Sequence, residues 1–317
     1  MALTPDNQNL VTAEGKRLRV WSLAKESASK EVLGHSDTVR FVAVQSDGLR
    51  AASCSQDRTI IVWKVETWSV ERVLAGHDGV VRHLHFAAGM LLSCSSDETA
   101  RLWSLETGRC KFILSGHAAD VRGCAMSKDA SVGYTCGFDK TVRRWDLNTG
   151  RMSAVMRGHA DKVFGVDSSA DGLWAVSCSW DKTLRLWDAR KHTLITIDDP
   201  LLTLSAESER GAVGVRDQGK EALCVAISGD GKRAVSCSVD GNVRIWDLER
   251  AVQLHKCVGH KDWVWGLCIT PDGALTASCS RDFTVRLWDV EEGEEVRAGA
   301  GKVKGRAYPS ELLSPCR

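Results

Sequence analysis

Residues 259–289 read GHKDWVWGLCITPDGALTASCSRDFTVRLWD, and the pattern inside this stretch decides the fold. Gly259-His260 is a turn signal, Val264 to Ile269 an apolar run, Pro271-Asp272-Gly273 a turn, and Ala274 to Ser278 a second run. Arg281-Asp282 turns tightly, Thr284 to Trp288 alternates polar and apolar, Glu291-Glu292-Gly293 turns again, and Glu294 to Ala298 opens a further run. Runs this short, bounded by turn residues, read as four strands rather than helices. The closing signature recurs along the chain. Trp21, Trp63, Trp103, Trp145, Trp187, Trp246 and Trp288 follow one another at intervals of 42, 40, 42, 42, 59 and 42 residues. A period near forty residues marks a repeat architecture rather than separate domains, with one insertion in the fifth interval.

Composition narrows the class further. The chain is 43% hydrophobic and 26% charged, which suits an ordinary soluble globular protein with enough apolar surface for a core. Lys plus Arg number 42 against 41 Asp plus Glu, so no whole-molecule field favours nucleic acid or a membrane. No apolar run reaches the length of a membrane helix, and Met1 to Leu10 lack a basic start followed by an apolar stretch. The expected location is cytoplasmic or nuclear.

Twelve cysteines raise the question of disulfides or zinc. Cys54, Cys94, Cys136, Cys178, Cys237 and Cys279 each stand three residues before an aspartate, so the repeat distributes them over different units as small buried residues. No Cys-x-x-Cys pair starts a zinc knuckle. His83 and His85 would point to one face of a strand, but no third ligand is evident. No metal and no cofactor are expected.

The recurring Gly-His, Asp and Trp-Asp elements resemble the WD40 repeat over nearly the whole chain. Gly-His stands at Gly34-His35, Gly76-His77, Gly116-His117, Gly158-His159 and Gly259-His260, and the turn aspartates are Asp57, Asp97, Asp139, Asp181, Asp240 and Asp282. This resemblance implies an all-β, seven-bladed β-propeller with four antiparallel strands per blade around a channel. The blades are expected at about 1–33, 34–75, 76–115, 116–157, 158–204, 217–258 and 259–300, with the insertion at about 198–219 and a tail at 301–317. In the family a polar tetrad ties each outer turn to the sheet. Here its hydroxyls would be Ser53, Ser93, Thr135, Ser177 and Ser278, each linking the blade histidine to the indole of Trp63, Trp103, Trp145, Trp187 or Trp288, with the aspartate on the other imidazole nitrogen. Ser236 holds the same place in the blade that lacks Gly-His.

Ser, His and Asp together invite a hydrolase reading. Repetition argues against it, because catalysis needs one nucleophile beside one oxyanion hole, whereas Ser53/His35/Asp57 is echoed by Ser177/His159/Asp181 and Ser278/His260/Asp282. There is no Gly-x-Ser-x-Gly elbow, and Gly299-Ala300-Gly301-Lys302 is followed by valine rather than the Ser/Thr of a phosphate loop. A non-catalytic protein is expected.

Two units break the pattern. In blade one, Met1-Ala2-Leu3-Thr4-Pro5-Asp6 aligns with the end of a first strand, so most of that strand is missing, and Gly15 stands where the turn aspartate belongs. Either the segment Lys302 to Tyr308 closes the ring or the chain is a truncated part of a longer protein. Blade six has Asp217-Gln218 in place of Gly-His, and the polar, acidic stretch Ser205 to Arg210 precedes it.

Two positions per blade are expected on the face of the aspartate turns, near the channel mouth. One holds Arg40, Arg82, Arg122, Phe164 and Trp265; the other holds Gln56, Ser96, Phe138, Trp180, Val239 and Arg281, with Trp263 alongside. A cationic arc thus adjoins an aromatic arc, the residue types that dominate binding hot spots. The expected partners are proteins or peptide segments, bound by a monomeric propeller within a larger complex, with arginines taking carboxylates or phosphates and Trp180, Trp265 and Phe164 holding apolar side chains. A further resemblance, Asp181 followed by Trp187-Asp188-Ala189-Arg190, is to substrate receptors of cullin-type ubiquitin ligases. It implies an adaptor contact at Asp188 and Arg190 as an alternative role.

Overall fold

The computed structural model describes residues 1–6, 8–22, 29–189, 202–203, 220–270 and 272–296. Its strands form seven sheets, each a meander in which sequential neighbours pair antiparallel. Six sheets have four strands. In the seventh, Val264–Ile269, Leu275–Ser280 and Val285–Asp289 are followed by one bridge, Trp288 to Glu295, in place of a full outer strand. The blade count and the all-β class agree with the repeat pattern.

Each blade buries its two middle strands. In blade two, Arg50–Ser55 and Thr59–Lys64 are almost wholly buried, and the outer strand Ser69–Ala75 is mostly exposed. Alternation explains the difference, because middle strands lie against neighbouring blades on both faces while outer strands meet water on one. The cores are therefore shared: Leu92, Cys94 and Leu102 of blade three pack with Val121, Cys124 and Trp145 of blade four. Each buried indole removes about 150–250 Å² from water. The eleven described cysteines are free thiols within these layers.

Ring closure involves a strand that the sequence left almost empty. Ala2–Leu3 pairs with Val11 and Leu10, taking the innermost place of blade one, and Leu10 joins Leu275, Ala277 and Leu287 of blade seven in one apolar cluster. Lys302 to Tyr308, the expected closing segment, lies outside the described residues, as do Asp217, Gln218 and most of the insertion.

The glycine of Gly-His has a packing cause. A Cβ on Gly116 would sit 2.7 Å from a terminal nitrogen of Arg143, whose guanidinium fills the space beneath the turn.

One departure from regular pairing recurs and positions the candidate site. At the start of the innermost strand of blades two to seven the register slips, so that Arg40, Arg82, Arg122, Phe164, Leu223 and Trp265 have no cross-strand partner. Such a β-bulge re-aims the extra side chain.

Candidate functional site

Five tetrads are complete. His35 places Nδ1 2.8 Å from Asp57 and Nε2 2.8 Å from Ser53 Oγ, which also accepts the Trp63 indole N–H at 2.8 Å. The corresponding contacts join His77 to Asp97 and Ser93, with Trp103 on Ser93. They join His117 to Asp139 and Thr135, with Trp145 on Thr135. The last two are His159 with Asp181, Ser177 and Trp187, and His260 with Asp282, Ser278 and Trp288. Since the indole can only donate, the hydroxyl accepts from it and gives its own proton to Nε2. The imidazole then carries its proton on Nδ1, facing the carboxylate.

The same geometry bears on the hydrolase reading. Ser53, Ser93, Thr135, Ser177 and Ser278 are completely buried, so no substrate carbonyl can reach these hydroxyls. Their polar atoms are used in holding the blade.

A fifth member was not named in the four-residue pattern. Thr59, Thr99, Thr141, Thr183 and Thr284 each donate a hydroxyl to the turn aspartate two residues earlier, at 2.6–2.8 Å. Its signal was present in the sequence, since the threonine recurs with the same period. Blade one keeps a reduced tie in which the Trp21 indole donates to Thr12 Oγ1 at 2.9 Å. Blade six keeps Trp246 on Ser236 at 2.9 Å, and there Arg244 turns its guanidinium to Asp240 at 2.6 Å.

Burial raises the carboxyl pKa of Asp57, but hydrogen bonds from Thr59 and His35 outweigh it and bring the group down to about 2. Asp97, Asp139, Asp181 and Asp282 are likewise held well below the usual carboxylate range. Burial lowers the pKa of His117, His159 and His260 by more than their aspartates raise it. The linkage for both groups has one sign. Unfolded imidazoles bind protons near pH 6.5, while these three do so only at lower pH, so stability present above about pH 6.5 is lost as pH falls. The aspartates add a second loss below about pH 4, where unfolded carboxyls protonate first. The melting temperature is expected to be level between pH 8 and 7, then to fall from pH 6.5 and again below 4. A level profile from pH 8 to 4 would contradict the imidazole shifts.

At this end of the strands the bulged residues meet residues of their own and of neighbouring blades. Arg40 is exposed, and Arg82 pairs with Asp120 at 3.1 Å. Arg122 lies half-buried, its guanidinium 5.0 Å from the Phe164 ring and 5.7 Å from the Phe138 ring. Burial, then the nearby Arg82 and Arg40 charges, lowers the Arg122 pKa, and burial with Arg82 does the same to Arg40. Phe164 stacks on Trp180 with centroids 4.8 Å apart and planes 11° from parallel, and Phe138 tilts against Phe164 at 5.2 Å. Lys162 lies 4.9 Å from Phe138 and 5.2 Å from Trp180, a cation that the sequence pattern did not single out. Cation–π contacts thus join Arg122 and Lys162 to Phe138, Phe164 and Trp180.

Blade seven presents a second aromatic group. Trp263 and Trp265 lie 5.3 Å apart, Arg281 is 5.5 Å over Trp263, and Trp265 is 48% exposed. Phe283, on the same turn as Arg281, is 63% exposed at a φ of +64°. Sequence reading missed it. Its place is held by Arg58, Glu98, Lys140 and Lys182 in other blades, so an aromatic there stood out only by comparison within the repeat. Among the other expected positions, Gln56 is partly exposed, Ser96 accepts the Val80 N–H at 2.8 Å, and Val239 is buried.

Elsewhere the candidates separate. Asp188 is 4% exposed, and Arg190 lies outside the described residues. His83 packs on Phe41 with ring centroids 3.9 Å apart, and burial lowers its pKa to about 3. Among the described residues no three His, Cys, Asp or Glu side chains converge as metal ligands, and no helix is long and apolar enough to cross a membrane.

Seven meander sheets, closed in a ring and tied by one recurring polar network, define a β-propeller repeat protein. The chain belongs to the WD40 family: the model of the WD domain, G-beta repeat, matches residues 27–64, 68–104, 108–146, 150–188, 217–247 and 251–289. Similarity to individual proteins is more local. Over 63 residues the chain is 41% identical to the intraflagellar transport protein 122 homolog of Danio rerio, covering 20% of this chain and 5% of that protein. Over 101 residues it is 28% identical to U3 small nucleolar RNA-interacting protein 2 of Mus musculus, covering 28% and 21%. Over 74 residues it is 34% identical to nuclear distribution protein PAC1 of Scheffersomyces stipitis, covering 22% and 13%.

Proposed function

We propose that this protein is a non-catalytic WD-repeat scaffold of the cytoplasm or nucleus that binds peptide segments or partner domains on the rim of the aspartate-turn face. The observation that carries this reading is the bulge at the head of the innermost strand in blades two to seven. It aims at one mouth the residues that differ between blades, while the residues common to the blades are spent on the tetrads. Arg40, Arg82 and Arg122 offer hydrogen bonds to acidic groups, Trp265 and Phe283 offer exposed apolar surface, and Phe138, Phe164 and Trp180 brace Arg122 and Lys162. The names of the related proteins speak of intraflagellar transport, a U3 small nucleolar RNA and nuclear distribution. Such different roles beside one shared repeat favour the variable rim as the place where this chain chooses a partner.

Reversing charge in Arg40→Glu, Arg82→Glu and Arg122→Glu together is expected to weaken partner recovery from cell extract. A hot-spot arginine contributes about 2 kcal/mol or more, roughly thirtyfold in affinity. The pair Arg40→Glu with Arg82→Glu repeats the test without touching the half-buried Arg122. Undiminished recovery by both variants would remove the rim from the proposal.

A further inference from the structure

Six cysteines share one place in the blade repeat, and the innermost strand sets a residue directly opposite each of them. Cys54 faces Phe41, Cys94 faces His83, and Cys136, Cys178 and Cys279 face Gly123, Gly165 and Gly266. Blade six departs from this pattern, because there Cys237 faces Cys224. Residues opposite each other on antiparallel strands share one face of the sheet, with Cα atoms about 4.5–5.5 Å apart, inside the span of about 4.4–6.8 Å that a disulfide bridges. The glycine blades show how closely such a pair meets. A Cβ added to Gly123 or Gly165 would lie 3.0 Å from the Sγ of Cys136 or Cys178, and one on Gly266 would lie 3.5 Å from that of Cys279. Across a disulfide, with its S–S bond of about 2.04 Å, each Cβ stands about 3 Å from the far sulfur. Blade six therefore carries a second sulfur where three other blades have no side chain at all. The two thiols also differ in setting. Cys237 is buried, whereas Cys224 is partly exposed. A hydrogen bond from the Cys237 thiol, joined by the Leu267 N–H, outweighs burial and lowers the Cys224 pKa, while burial raises that of Cys237. Cys110, Cys268 and Cys279 are partly exposed as well, yet burial raises each of their pKa values.

We propose that Cys224 and Cys237 form a dithiol site that hydrogen peroxide oxidises to a disulfide within blade six. Cys224 is the attacking sulfur, since it is the one a solute can approach and the one held toward its thiolate. The thiolate attacks one oxygen of the peroxide, the O–O bond breaks, and hydroxide leaves with the bonding pair, giving a sulfenic acid on Cys224. The Cys237 sulfur then attacks the Cys224 sulfur. The S–S bond forms, the S–O bond breaks, and the Cys237 proton leaves with the oxygen as water. Two sulfurs are oxidised and one peroxide is reduced, and a dithiol reductant reverses the change. Cys94 and Cys124 supply a contrast within the same chain. They meet between blades three and four, but both are buried and burial raises the Cys124 pKa, so that pair has no sulfur placed to begin the reaction.

The test exposes the reduced, folded full chain to a small excess of hydrogen peroxide, removes the excess with catalase, alkylates the remaining thiols in denaturant and maps the peptides by mass spectrometry without reductant. A linked peptide joining Cys224 to Cys237 is expected, with two of the twelve thiols lost and both recovered after dithiothreitol. Cys94 and Cys124 are expected to stay open to alkylation. In Cys237→Ser the reaction is expected to stop at a Cys224 sulfenic acid that dimedone captures, and in Cys224→Ser the Cys237 thiol is expected to survive the peroxide. A disulfide between Cys94 and Cys124, or between any other pair, in place of the Cys224 to Cys237 link overturns the assignment. So does a folded chain that forms no internal disulfide, or one in which oxidised Cys224 persists as the sulfenic acid with Cys237 beside it. The unaltered chain decides the assignment whether or not a variant folds.

Discussion

Asp181→Ala is expected to destabilise the protein by about 3–5 kcal/mol, because it leaves several buried donors without their acceptor at once. Asp181 accepts from His159 Nδ1 at 2.8 Å and from the Ala160 N–H at 2.9 Å on one oxygen, and from the Thr183 N–H and hydroxyl at 2.9 and 2.6 Å on the other. Alanine leaves these donors without their acceptor beside an imidazole that is 1% exposed, and each orphaned buried group costs about 1–3 kcal/mol. Asp129 supplies the control. It also takes three short bonds, from the Ser127 and Ser131 hydroxyls and the Ser131 N–H, but on an exposed turn of the opposite face where water can replace it. Asp129→Ala is expected to cost about 1 kcal/mol or less. Urea midpoints of the two variants decide between the explanations. Equal losses would mean that the number of bonds, rather than their burial, sets the stability of the tie.

The tetrads were legible in the sequence because a recurring structural need leaves a recurring residue. His159 could be paired with Ser177, Asp181 and Trp187 because the recurring residues matched the tetrad that the resemblance to the WD40 repeat implies. Residues that act through local register left less trace. Arg40 and Arg122 could be placed on the rim by their repeat position, yet nothing in the residues themselves showed that a bulge would carry them there. A bulge is a property of two paired strands, and only the pairing reveals it. The contact between Arg122 and the Phe164 ring was equally hidden, since it crosses from one blade to the next. Ala2–Leu3 illustrates a third limit. Two residues are too few to show a strand periodicity, and their pairing follows from the vacant edge of Leu10 and Val11 and the apolar cluster behind it.

Blade six yields the other large effect, because it shows what the histidine slot requires. There Arg244, with its side chain 3% exposed, holds Asp240 at 2.6 Å, while the arginine two residues before the tryptophan in blade four, Arg143, lies 3.4 Å from its aspartate, which is already engaged by His117. The aspartate turn therefore accepts whichever donor the blade supplies. Asp240→Ala is expected to cost about 3–5 kcal/mol, since it removes one partner of a buried ion pair. Arg244→Met is expected to cost less, because Asp240 keeps the Asn242 N–H at 2.9 Å and is the more exposed partner. Combining the two should restore most of the loss, bringing the double variant to within about 1–2 kcal/mol of the original chain, because methionine fills the volume of the stem without a charge to bury. The double-mutant cycle is then strongly non-additive, and the coupling it measures reports how far Arg244 and Asp240 depend on each other. If the losses instead add, Arg244 and Asp240 act independently and the contact between them contributes nothing to the stability of blade six.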